Sequence, residues 1–206
     1  MTRSSLRPAA RSTGPGARST LPVAAPEPSA AGATIHVLRR ALEDIVGVNV
    51  VASALQKLPT KVREEFVPLT PMTWVPLATS NMAVEYIATE ARRQPDDLMD
   101  EAVRRAAEQM FRTSWRLLLR ITTDHALIAR TPVLYSKWRN IGQLESSLLA
   151  PGKSEIWLRG WPGVSERNVR TLAVSIETVL RLAGRRAVRM EWTRTPDGAR
   201  YLAFWR

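Results

Sequence analysis

Few side chains in this sequence have the types and spacing that chemistry needs. The two histidines, His36 and His125, lie far apart in the chain and form no metal-ligand pattern. Asp124 precedes His125, but adjacent helical residues point in different directions, so the pair reads as a capping or surface feature and not as an acid–base dyad. There is no cysteine, which excludes disulfides, thiolate zinc sites, iron–sulfur clusters and a cysteine nucleophile. Gly160-Trp161-Pro162-Gly163 is a turn sequence and lacks the G-x-x-x-x-G-K-S/T pattern that cradles phosphates. The acidic pairs Glu64-Glu65 and Asp96-Asp97 fall in loops or helix starts, the usual solvated arrangement. The expectation is a non-enzyme with no catalytic residues, no metal site and no cofactor.

Binding is better represented than catalysis. In "TPVLYSKWRNIGQLE", Tyr135 and Trp138 precede a switch from helical to strand patterning, where clefts between layers form. With Trp157 and Trp161 they are the candidate contacts for a small apolar ligand; the alternative is that Tyr135 and Trp138 simply plug the layer interface. Lys137 and Arg139 in the same stretch are candidate anion contacts.

The chain ends "VRMEWTRTPDGARYLAFWR". Thr195-Pro196-Asp197-Gly198 suits a type I turn followed by a glycine bulge. Pairing Thr195 with Ala199 sets Thr193 opposite Tyr201 and Arg189 opposite Trp205. Alternation then predicts a core face of Val188, Met190, Trp192, Leu202 and Phe204, and an outer face of Arg189, Glu191, Thr193, Tyr201, Ala203 and Trp205. The outer face has three readings. It is a half-buried surface with arginine stacked on Trp205, or a pocket wall, or a nucleic-acid surface with Arg189, Tyr201 and Trp205 as contacts.

The elements that position these residues begin near Thr34. Val37, Leu38, Ala41, Leu42 and Ile45 recur at helical spacing, the pattern resumes after Gly47, and Pro59 closes it. A Pro/Thr-rich loop runs through "VPLTPMTWVP". Helical stretches follow around 77–92 and after Pro95, and a third is interrupted or kinked near Thr131-Pro132. Beyond Gly142, two strands flank Pro151-Gly152, a helix runs from a Ser165 cap to Gly184, and the final hairpin completes a ββαββ order. The expected fold class is therefore α+β, an N-terminal helical layer packed on a C-terminal antiparallel sheet. Residues 1–33 read as a disordered basic tail and 34–206 as a single domain, helical over 34–141 and ββαββ over 142–206.

The formal charge of +11 comes from 26 arginines and 4 lysines against 19 carboxylates. It is uneven: residues 34–133 carry +1, whereas 134–206 carry +7, which draws anionic partners to the C-terminal third. The longest uncharged run, 66–84, is broken by Pro68, Pro71 and Pro76, and no apolar segment follows the basic N-terminus, so neither a membrane span nor a secretory signal is expected. The expected location is the cytoplasm.

The P-V-x-Y-S stretch from Pro132, the strand pair, the helix ending before Gly184 and the closing "W…DG-x-x-Y-x-x-x-W" together carry a resemblance. They resemble a myxobacterial paralogous family of proteins of about this length, and more distantly the heme-nitric-oxide-binding-like and 4-vinyl-reductase-like sensor domains. That resemblance implies a helical part capping a curved antiparallel sheet, with a small apolar ligand between. Vinyl-reductase-like members carry cysteines near the final hairpin, where this chain has Trp192 and Ala199, so the scaffold is expected without that metal chemistry. The leading expectation is a regulatory or sensory domain that binds a small apolar ligand or a protein partner. The alternatives are nucleic-acid binding through the basic C-terminal sheet and a structural role in a larger assembly, a homo-oligomer included.

Overall fold

A computed structural model of the chain describes residues 27–67, 70–111 and 119–206. The first part holds β1 (Ser29–Ala31), α1 (Gly32–Val46), α2 (Val48–Gln56), α3 (Thr60–Phe66), β2 (Trp74–Pro76), α4 (Leu77–Glu90), α5 (Pro95–Met110) and α6 (Asp124–Trp138). The second holds β3 (Gln143–Ala150), β4 (Lys153–Arg159), α7 (Glu166–Leu182), β5 (Arg189–Thr195) and β6 (Gly198–Phe204). The fold is α+β, with a four-stranded antiparallel sheet of order β3-β4-β6-β5. No helix among the described residues is long and apolar enough to cross a membrane.

Several elements follow directly from local chemistry. Gly47, at φ 94°, divides α1 from α2 where the apolar pattern pauses. Ser165 caps α7 by accepting a hydrogen bond from the Asn168 amide at 3.3 Å, and Val169, Ala173, Ile176 and Leu180 bury the inner stripe of that helix. The tip of the β3–β4 hairpin is Pro151-Gly152.

Order begins earlier than Thr34. Strand β1 pairs antiparallel with β2, so part of the Pro/Thr-rich loop is a strand as well. Ala30 also bridges to Arg139, and the Asn140 side chain accepts from the Ser29 amide at 2.7 Å while donating to the Glu27 carbonyl at 3.0 Å. These pairings over 111 and 113 residues of separation have no local sequence signal. Residues 1–26 of the expected tail lie outside the described residues.

Helix α6 is continuous through Pro132, so of the interruption or kink expected there the interruption is absent. Proline has no amide hydrogen, so the Ile128 carbonyl, four residues back, loses its helical donor. Ser146 on β3 supplies one instead, its hydroxyl donating to Ile128 O at 2.7 Å. The helix starts at a Thr123 cap, whose hydroxyl accepts from the Ala126 amide.

The closing hairpin differs from expectation by one residue. Thr195 pairs with Gly198, which leaves a two-residue loop, Pro196-Asp197. The loop is anchored from outside the hairpin. The Asp197 carbonyl accepts from the Trp161 amide and its carboxylate from the Gly160 amide, both at 3.0 Å. Gly198, at φ 153°, lies so close to β4 that an added Cβ would sit 2.0 Å from the Leu158 carbonyl oxygen. This contact holds Gly198 in the ladder. A one-residue slip turns every side chain of β6 over. Ala199, Tyr201 and Ala203 are fully buried, with Trp205 beside them at 7% exposure, while Leu202 and Phe204 face outward.

The Ser146 substitution for a helical donor is testable. Ser146→Ala should cost about 1–2 kcal/mol in urea denaturation by leaving a buried acceptor unmade. In a Pro132→Ala background, where the helical amide returns, the same change should cost no more than about half as much. Equal losses in the two backgrounds would contradict the assignment.

Candidate ligand cavity

The helices and the sheet do not close completely on each other. A cavity of about 160 Å³ lies between α1, α4, α5, α6, α7 and β3. Its walls include Ile35 and Leu38 of α1, Met99, Val103 and Ala106 of α5, Leu127, Tyr135 and Trp138 of α6, Leu144 of β3, and Leu172, Ile176 and Val179 of α7, with Phe111 and Trp161 between elements. Phe111 meets Trp138 edge to face, with ring centroids 6.2 Å apart and planes at 69°.

The few polar groups in the wall are informative. Tyr135 donates its hydroxyl to the Ile141 carbonyl at 2.7 Å, and burial pushes its phenol up to about 12. Arg139 donates to the Trp138 carbonyl at 3.2 Å. Loss of hydration holds its guanidinium below the usual arginine range, opposed by the Tyr135 phenol. The Thr34 hydroxyl is buried and has no hydrogen-bond partner.

Of the four aromatic residues expected to meet a ligand, Tyr135, Trp138 and Trp161 share this cavity. Trp157 does not. It lies on the outer face of the sheet between the guanidinium groups of Arg159 and Arg200, 4.7 and 5.6 Å from its ring. Among the residues expected to meet an anion, Arg139 is in the cavity wall and Lys137 is exposed at the last turn of α6. Arg189 stacks 4.7 Å from the Phe204 ring, not on Trp205, and pairs with Glu191. Tyr201 and Trp205 are in the core, a correction that follows from the register. The Trp205 indole donates to the Asp124 carboxylate at 3.1 Å, and Arg185 binds the same carboxylate at 2.7 Å. His125 is exposed in the first turn of α6, and neither it nor His36 lines the cavity.

The outer sheet face is internally paired. Arg159 meets Glu145, Arg200 meets Glu155 and Arg189 meets Glu191, so the cations that make the C-terminal third basic are partly neutralised by their neighbours. No group of three or more His, Asp or Glu side chains among the described residues is placed to hold a metal.

Sequence reasoning missed two features. Arg167 reaches Glu85 at 2.5 Å and Asp96 at 2.7 Å, while Arg170 reaches Asp100 at 2.8 Å and Asp97 at 3.5 Å, so α7 is bolted to α4 and α5. Burial pushes Arg167 down, but these carboxylates outweigh it and leave its pKa raised; the hydrogen bond to Asp100 raises Arg170. The i, i+3 spacing of two arginines, set against an acidic run at 96–101, was the available signal. The cavity position of Thr34 had none.

No protein-family model matches the sequence, and no curated protein does. Solved structures do. The Fe(II) unliganded H-NOX protein from K. algicida aligns with a TM-score of 0.63 at 9% identity, over 85% of this chain and 96% of that one. An oxygen-binding H-NOX domain related to soluble guanylate cyclases, in its oxygen complex, aligns at 0.61 and 13% identity over 85% and 94%. A Cs H-NOX mutant carrying the unnatural amino acid 4-cyano-L-phenylalanine aligns at 0.62 and 11% identity over 85% and 96%. The fold is that of H-NOX domains.

The H-NOX likeness is one of fold, and it raises the question of heme, which another of these structures names. The residues here do not fit it. No histidine or cysteine lines the cavity, and the Tyr135 hydroxyl is committed to Ile141. A volume of about 160 Å³ also falls well short of a porphyrin; an apolar cavity of about 150 Å³ holds a benzene.

The buried position of Tyr201 gives a test of how its side chain is packed. Its hydroxyl has no partner, and burial together with Tyr135 pushes its pKa up. Tyr201→Phe should leave stability unchanged or raise it by up to about 1–2 kcal/mol in thermal denaturation. A loss of that size would mean that the hydroxyl has a partner, contrary to the packing described.

Proposed function

We propose that this chain is a non-enzymatic sensory domain of H-NOX fold that takes a small apolar ligand, and no heme, into the cavity between its helices and its sheet. The observation that carries the reading is the cavity itself, predominantly apolar and walled by Tyr135, Trp138 and Trp161. A cavity in a core costs stability, since well-packed interiors leave few voids larger than a water. The fold supports the reading in kind, because one solved relative in fold is an oxygen-binding domain related to soluble guanylate cyclases. We take residues 34–206 as the sensing unit, and its kinship with the myxobacterial paralogues as part of the same proposal.

Ligand occupancy would report through α6. That helix contributes Leu127, Tyr135 and Trp138 to the wall, and it begins at Asp124, which Arg185 and the Trp205 indole both hold. A ligand preferring one packing of α6 shifts the population only by its differential affinity for that packing. The nucleic-acid reading loses its footing, since Tyr201 and Trp205 are buried and Arg189, Arg159 and Arg200 are paired.

Calorimetry with toluene tests the cavity. The wild-type chain should bind it saturably, and Ala106→Phe, which fills the wall from α5, should weaken binding by about tenfold or more, equivalent to about 1.4 kcal/mol. The melting temperature should hold or rise. Unchanged affinity in Ala106→Phe, or no binding to the wild type, contradicts the reading.

A further inference from the structure

We propose that the ligand is a small monocarboxylic acid of about phenylacetate size, its apolar body in the cavity and its carboxylate on Arg139. The proposal rests on the cavity reading above and adds the chemistry of the head group.

Arg139 carries it. A guanidinium has five donors in a planar fork, yet among the described residues only the Trp138 carbonyl takes a hydrogen bond from this one. No carboxylate among the described residues forms an ion pair with it, although most arginines around α7 and the outer sheet face have one. The residues outside the described set bring no acid, since Glu27 is the first carboxylate of the sequence and none falls at 68–69 or 112–118. The residue is half-buried in the cavity wall, and that burial lowers the pKa of its guanidinium. A partly desolvated charge with no counter-ion gains from an anion, and a bidentate carboxylate is the partner its fork fits.

A second, independent group points the same way. The Thr34 hydroxyl lines the same cavity, buried and unpartnered. Buried polar atoms are rarely left so. Both groups belong to the wall of the same cavity, and they are close in the fold at the backbone level: Arg139 bridges to Ala30, and Thr34 follows in the first turn of α1. The wall contains no aspartate or glutamate to repel an anion. A single guanidinium balances a single negative charge, and the volume admits a body close to one aromatic ring.

The test compares phenylacetate with its neutral isostere phenylacetamide, by calorimetry on the full chain. Wild type should bind the acid about tenfold or more tightly than the amide. Arg139→Gln should bind both alike, with amide affinity kept. Thr34→Val should lower acid affinity several-fold while raising the melting temperature of the free protein, because it removes an orphaned hydroxyl. A purely structural threonine would not give that opposed pair of changes. If Arg139→Gln does not fold, Arg139→Lys, which keeps the charge and loses the fork, should retain only part of the preference. Equal wild-type affinities for acid and amide overturn the proposal and leave the apolar cavity standing. Toluene binding with neither phenyl compound bound has the same meaning. If toluene fails as well, both readings fall.

Discussion

Arg167 and Arg170 stand one turn apart at the start of α7 and reach four carboxylates, Glu85 on α4 and Asp96, Asp97 and Asp100 on α5. These pairs are partly exposed, so each contributes modestly to stability. Their importance is geometric. They fix α7 against α5 at the helix starts, while Val169, Ala173, Ile176 and Leu180 fix α7 within the apolar core. Leu172 and Val179, beside that stripe, line the cavity together with Ile176, and Met99, Val103, Ala106 and Met110 line it from α5. The cavity is the space these constraints leave.

The sheet reaches the cavity through Leu144 of β3, and its register depends on contacts outside its own hairpins. Thr195-Pro196-Asp197-Gly198 allows either a two-residue loop or a bulged three-residue one, and local turn chemistry does not choose between them. Gly160, Trp161 and Leu158 choose, by binding Asp197 and by leaving no room for a Cβ at Gly198. The choice decides which of Tyr201 and Leu202 is core.

Much of the fold was legible because it is local. The Ser165 cap, the amphipathic stripe of α7, the Pro151-Gly152 turn and the ββαββ order all leave marks within a few residues of themselves. What was not legible depends on distant partners. Ser146 lets α6 run through Pro132, and the pairing of 29–31 with 74–76 turns the end of an expected tail and part of a loop into strands. The candidate site divides in the same way. Tyr135 and Trp138 were marked by their place at the helix-to-sheet junction, and they do line the cavity. Trp157 looks equivalent to Trp161 in the sequence, and alternation alone would give two positions four apart the same face; but β4 ends at Arg159 and the chain turns at Gly160, so Trp161 reaches the cavity while Trp157 stays on the outer face of the sheet. The same fold therefore holds a different interior from the one heme needs: no histidine reaches the wall, and Arg139 and Thr34 stand there short of their full set of partners.

The central claim is that the H-NOX scaffold here encloses a small organic ligand and not a porphyrin. Native mass spectrometry of the protein purified from its own host, with denaturing analysis and an absorption spectrum of the same sample, tests it most directly. The expected result is a small acid released on denaturation from a protein without Soret absorption. Heme bound in stoichiometric amount would contradict the claim.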